Sequence, residues 1–189
     1  MLICIVGKSG SGKSYISNII KKYNESTVYL DVDKIAHKVL ELEEVKEQLL
    51  ILGDILTSNK IDRKKLGYIV FNNERKMKYL KEVTWYYMEK IIDKIIKKNK
   101  DKIIILDYLF LKETKYFNKS DLNILVDAPF NIRLERATKR DNITKDQFMK
   151  RDYSYQLNEG GFDYIIENVD KEKTKKKVSE IYDKSIIHR

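Results

Sequence analysis

The sequence predicts an α/β fold, a parallel five-stranded sheet with helices on both faces, and three observations predict it. Short apolar runs at 2–6, 27–32, 102–108, 122–128 and 163–168 have the length and composition of buried strands. The stretches between them place apolar residues at helical intervals, as in VKEQLLILGDIL (45–56) and MEKIIDKIIKK (88–98). Strands alternating with helices are the pattern of a parallel sheet covered on both faces. Between the first strand and the first helix lies a loop of small residues, GKSGSGKS.

That loop carries chemistry. Gly7, Gly12, Lys13 and Ser14 fit G-x-x-x-x-G-K-[ST], the phosphate loop of a P-loop NTPase-like fold, with a strand before it and Ile16, Ile19 and Ile20 on one helix face after it. Glycine lets backbone N–H groups approach a polyanion with no Cβ in the way, and the helix N-terminus aims its dipole at the same phosphates. Gly7, Lys8, Ser9, Gly10, Ser11, Gly12, Lys13, Ser14 and Tyr15 are therefore the expected ATP-binding stretch. Lys13 is expected to reach the β- and γ-phosphates and Ser14 to ligate Mg2+.

The later strands end in carboxylates: Asp31 and Asp33 at the second, Asp107 at the third and Asp127 at the fourth. Ligands of open parallel sheets lie at the carboxyl ends of the strands. Phosphoryl transfer to a hydroxyl needs one carboxylate to accept a proton and others to help position the metal, which suits Asp31 and Asp33. Asp33 before KIAHKVLE and Asp127 before the helix with Pro129 near its first turn also read as helix N-caps. Asp107 reads equally as the acidic end of a Walker B strand and as a strand-end turn residue. Farther on, Arg133, Arg136 and Arg140 recur at helical spacing. Arg136 and Arg140 stack one turn apart, suited to gripping phosphate oxygens from a lid.

Composition bounds the remainder. With 42% hydrophobic residues in 189, the chain can bury one substantial core, and one domain with an insertion is expected. One proline and seven glycines leave no linker or low-complexity segment. Gly7 cuts the N-terminal apolar run, and no window reaches the roughly 18 apolar residues of a membrane span, so a soluble cytoplasmic protein without membrane partners is expected. The single cysteine, Cys4, reads as a small core residue in a reducing compartment. The net charge of +9 reads as lysine on solvated helix faces. No arginine-rich arm points to nucleic acid. NKSD at 118–121 spells a guanine-reading motif, but it precedes a strand instead of following one.

At this level of detail the chain resembles the dephospho-coenzyme A kinases. The resemblance is carried by GKSGSGKS, LDVDKIAHKVLE (30–41), LGDILTSNKIDRKKLGYIVFNN (52–73) with Gly53, Ile61, Asp62, Arg63, Leu66 and Phe71, ERATKRDNIT (135–144) and DYIIEN (163–168) in that order. It implies ATP-dependent phosphorylation of the ribose 3′-hydroxyl of dephospho-coenzyme A by a chain for which a monomer is favoured. It makes Asp33 the general base and Lys13 and Arg140 the phosphate stabilisers, with Asp31, Asp33, Arg63 and Asp107 toward the acceptor. It also implies a core (1–40, 101–135 and 161–189), a helical acceptor-binding region (about 41–100) and a lid (about 136–160). The chain departs from the family pattern at His37, at Trp85-Tyr86 where the family has His-Pro, at LFLKE (109–113) and at RDYSYQ (151–156). A nucleoside or nucleotide kinase shares the loop, the acidic strand end and the arginines, and is the alternative. A nucleic-acid-binding ATPase is a more distant one.

Overall fold

The computed structural model describes residues 1–71, 73–153, 157–158 and 160–187. They form two compact units, Met1–Leu30 with Asn99–Arg189, and Asp31–Lys98. The first holds the sheet, whose order is β2-β5-β1-β6-β7, with β1 Leu2–Val6, β2 Val28–Asp31, β5 Ile104–Asp107, β6 Leu122–Asp127 and β7 Tyr164–Glu167. All five strands fall where the apolar runs place them. Parallel register sets Cys4 between Leu106 and Asn123, and Leu125 beside Ile165. The chain's first strand is thus the middle one, and the loop that follows it emerges with strands on either side.

Helix α1 (Lys13–Tyr23) covers one face by burying Ile16, Ile19 and Ile20. Their β-branched chains cost a helix at most about 0.7 kcal/mol each in propensity, whereas burying each contributes roughly 1.5–3 kcal/mol. Packing wins, so the helix forms. Helix α9 (Lys171–Tyr182) adds Val178, Ile181 and Tyr182 to the same core. Between β5 and β6 lies the short α6 (Lys115–Lys119). NKSD straddles its end, and Asp121 accepts the Leu2 amide at 2.7 Å, pinning the start of β1.

Pro129 is itself the N-cap of α7 (Phe130–Asp141), with no side-chain cap. Asp127 remains the last residue of β6 and pairs in register with Glu167, so the capping role read for it is not realised and Pro129 stands just before the first turn. Asn142, left-handed at φ 50°, ends α7. Helix α8 (Lys145–Tyr153) follows.

The second unit is helical: α2 (Val32–Val39), α3 (Glu43–Leu49), α4 (Arg63–Phe71) and α5 (Glu74–Lys98), with α2, α3 and α4 packed on α5. The helix read across 45–56 stops earlier. A short 3-10 turn at Leu50–Leu52 leads to Gly53 at φ 131°, a conformation open to glycine and strained for other residues. A hairpin then forms from β3 (Leu56–Thr57) and β4 (Lys60–Ile61). Ser58 and Asn59 both take positive φ, as a type I′ turn requires. Asp62 caps α4, and the Lys65 and Lys64 amides together with the Thr57 hydroxyl hold its carboxyl below the usual carboxylate range. In α5 the helix runs unbroken through Trp85 and Tyr86, where Trp85 donates to Glu89 at 2.8 Å and Lys90 lies 4.1 Å over the Tyr86 ring.

Cys4 is fully buried on β1, and burial pushes its thiol up to about 12. The thiolate, the reactive form, is scarce at any ordinary pH. In a thiol-reagent titration between pH 7 and 9, the native protein is expected to stay unmodified and to react stoichiometrically once unfolded in denaturant. Fast modification of the native protein would contradict the packing.

Candidate active site

Three glycines shape the loop after β1 by what surrounds them. A Cβ on Gly7 would meet the Val126 carbonyl oxygen, on Gly10 that of Arg133, and on Gly12 the amide nitrogen of Asn168. Gly10 and Gly12 also take φ of 79° and 100°. The loop therefore has no room for side chains at these points, and it presents backbone instead. At the head of α1, Gly12 is the N-cap, with no side-chain cap and no acidic residue in the first turn. Nothing in that turn offsets the positive end of the helix, which is the arrangement that binds anions.

Around this helix end the structure gathers the charged groups. Lys13 donates to the Gly7 carbonyl at 2.9 Å and stands 3.7 Å from Asp107. Ser14, solvent-exposed, donates to the other Asp107 oxygen at 3.2 Å. Asp107 is buried, and Tyr29 of β2 donates to it at 2.7 Å. The Asp107 carboxylate thus faces the phosphate loop.

Asn168, just after β7, holds the loop from the other side. It is buried, its amide donates to the Ser11 carbonyl at 2.8 Å, and Thr174 donates to its side-chain oxygen at 3.3 Å. Arg136 donates to the Asn168 carbonyl at 2.9 Å, and Arg140 to the Ser9 hydroxyl at 3.2 Å while also pairing with Asp141. Both arginines named as phosphate grips thus already lie beside the loop or its support. Arg133 is different. It is buried, donates to the Ala128 carbonyl and forms a two-pronged pair with Asp152 of α8. Lys8 joins the same carboxylate at 3.7 Å, so it ties the loop to α8. Tyr15 packs its ring against the core.

Asp31, Asp33 and Arg63 belong to the helical unit. Asp31, not Asp33, caps α2, accepting the Lys34 amide at 3.1 Å. Asp33 is exposed in the first helical turn. The cap falls two positions earlier than the alternative reading of Asp33 placed it, because β2 ends at Asp31 and Val32 already takes helical conformation. Arg63 opens α4 and is exposed. Of RDYSYQ, residues 154–156 lie outside the described residues. The sequence reading missed Tyr29, Asn168 and Asp152. A tyrosine within a strand, an asparagine at a strand end and an aspartate in a charged helix carry no spacing that marks them.

Comparison with known proteins matches residues 1–169 to the family model for dephospho-CoA kinase. The chain belongs to the dephospho-CoA kinase family. A dephospho-CoA kinase of Aquifex aeolicus is 31% identical over 190 residues, covering 96% of this chain and 95% of its own. One from Fusobacterium nucleatum is 32% identical over 174 residues, covering 89% of each. Among solved structures, dephospho-CoA kinase from Campylobacter jejuni aligns with a TM-score of 0.59 at 25% identity, over 96% of this chain and 95% of that one. TT1252 from Thermus thermophilus has the same fold, with a TM-score of 0.86 at 20% identity over 98% and 97%.

Asp152 gives a test of how the loop is supported. Its side chain and that of Arg133 are 7% and 8% exposed, and deleting one partner of a buried pair strands the other charge. Asp152→Ala is expected to cost about 3–5 kcal/mol, read as a fall in melting temperature of about 10 °C in a chain of this size. A shift under about 2 °C would place this pair among solvated ones.

Proposed function

We propose that the chain transfers the γ-phosphoryl group of ATP to the ribose 3′-hydroxyl of dephospho-CoA, giving CoA and ADP. The observation that carries it is the convergence of Lys13, Ser14 and buried Asp107 on an uncapped helix N-terminus, in a chain of this family. Loop amides and Lys13 bind the phosphates, and charge spreading over the γ-phosphoryl oxygens is met by Lys13 and, from a lid spanning about 136–160, by Arg136 and Arg140. Asp33 accepts the 3′-hydroxyl proton as that oxygen attacks phosphorus and the bond to the bridging β-γ oxygen breaks. Asp31, Arg63 and the helices around 41–100 orient the acceptor.

The residues also suit Mg2+. The Ser14 hydroxyl and the Asp107 carboxylate are hard oxygen donors, and Mg2+ is usually held by one or two such groups together with substrate phosphates. When bound it neutralises developing phosphate charge. Among the described residues no helix is long and apolar enough to cross a membrane. A cytoplasmic monomer is the working form proposed.

The roles separate in kinetics. Lys13→Ala is expected to abolish transfer and weaken ATP binding, whereas Asp33→Asn is expected to lower kcat by about 10²–10⁴-fold with ATP affinity kept. Asp31→Ala, which removes a helix cap, should instead cost about 1 kcal/mol of stability, whereas Asp31→Asn keeps a capping oxygen and tests the charge alone. If Asp31→Asn loses more kcat than Asp33→Asn, the base is assigned to the wrong carboxylate.

The acceptor is tested by ADP release with magnesium-ATP against dephospho-CoA, adenosine, cytidine, thymidine, AMP, CMP and a short RNA, with the product assigned by phosphorus NMR. Dephospho-CoA is expected to give the highest kcat/KM and a 3′-phosphate. Preference for a nucleoside or a monophosphate would make the chain a nucleoside or nucleotide kinase, and stimulation by RNA would favour the nucleic-acid reading.

A further inference from the structure

Tyr29 sits on β2, two strands from β1 and its phosphate loop with β5 between, and it packs against the sheet core. Its hydroxyl lies 2.7 Å from one oxygen of Asp107 and 3.3 Å from the Ser14 hydroxyl. A phenol has one proton to donate. The shorter distance falls in the range of a hydroxyl bonded to an ionised carboxylate, so that proton goes to Asp107. Ser14 donates to the same oxygen at 3.2 Å, and Lys13 faces the other at 3.7 Å. Asp107 is thus contested. An ammonium on one side draws the carboxylate toward Lys13, and two hydroxyls on the other side hold it at Ser14.

We propose that Tyr29 is a positioning residue for the metal-bearing pair Ser14–Asp107, holding the carboxylate on Ser14 and away from Lys13. The inference rests on the phosphate-site reading above. It has two consequences. With its proton given to Asp107, the Ser14 oxygen keeps its lone pairs for a divalent cation. Lys13, not drawn into a closer ion pair, stays available to phosphate. Without the phenol, Asp107 is expected to settle on Lys13, because an ion pair in a buried setting outweighs one long neutral hydroxyl contact. Both functions of the helix end then weaken together.

Groups that orient a metal's ligands typically matter about 10–100-fold for metal affinity. The test is the affinity for ATP measured by calorimetry in excess magnesium and again in EDTA, for the wild-type protein and for Tyr29→Phe, which keeps the ring and removes the hydroxyl. Expected is a loss of about tenfold in the gain that magnesium confers, with kcat at saturating magnesium-ATP much less affected. The same Tyr29→Phe change in an Asp107→Asn background should add nothing, since the carboxylate it orients is gone. Melting temperatures check the fold. Should Tyr29→Phe melt early, Tyr29→Met removes the hydroxyl while still filling the site and is read the same way. If the wild-type protein gained nothing from magnesium, the phosphate-site reading itself would fall and the inference with it. If the wild-type protein gains and Tyr29→Phe gains equally, only the role of Tyr29 is overturned.

Discussion

The rest of the structure depends on one steric constraint: the loop after β1 must carry its backbone past the Val126 carbonyl, the Arg133 carbonyl and the Asn168 amide with no room for a Cβ at Gly7, Gly10 or Gly12. Those three neighbours come from β6, from α7 and from the end of β7, so the loop is shaped by segments distant in sequence. The sheet order makes this possible. Because β1 is central, its exit is flanked by β5 on one side, which carries Asp107, and by β6 on the other, which carries Val126. Asn168 completes the seat. Its backbone amide bonds to Asp127, its side chain to Ser11 and its carbonyl to Arg136, so strand end, loop and α7 are fixed through a single residue.

Charge is distributed on the same plan. The loop contains two lysines, and each faces one nearly buried carboxylate, Lys13 with Asp107 and Lys8 with Asp152. Arg133 shares Asp152. Such pairs cost desolvation to form and are strongly destabilising to break, so they fix where the loop can lie. Exposed pairs do little of this. Lys175–Glu172 and Lys78–Glu82 are largely exposed, and pairs of that kind contribute about 0–1 kcal/mol. Many lysines behind the net charge of +9 are solvated in this way, while Lys8, Lys13 and Arg133 hold the loop.

How much of this could be read from the sequence follows from the range of the interactions involved. The five strands were legible because each is a dense apolar run, and the loop because glycine, lysine and serine there obey a fixed local spacing. The helix read across 45–56 was not legible as helix plus hairpin. LILGDIL keeps its apolar period through Gly53, and a type I′ turn made of Ser58 and Asn59 lacks the glycine that usually announces one. Arg133, Arg136 and Arg140 look alike in sequence, yet one is buried in an ion pair, one bonds a strand-end carbonyl and one is exposed. Tyr29, Asn168 and Asp152 act through partners as far as 78, 157 and 144 residues away. No local pattern encodes such pairings.

The division of contacts between the two units bears on where the chain can diverge within its family. Every contact described for the phosphate loop is made inside the unit that holds the sheet, whereas His37, Trp85 and Tyr86, where the chain departs from the family pattern, fall within Asp31–Lys98. There they make local bonds of their own: Trp85 with Glu89, and Tyr86 with Lys90. Changes at sites with no shared partners are close to additive in free energy, so, on the proposed acceptor role of this unit, these substitutions can alter acceptor affinity without moving Lys13, Ser14 or Asp107. Asp33 keeps its place through the same local economy. Asp31 takes the capping of α2, and Asp33 lies exposed in the first turn of the same helix. On the proposed reading, the second unit can vary in the acceptor surface it offers while keeping Asp33 as the proposed proton acceptor.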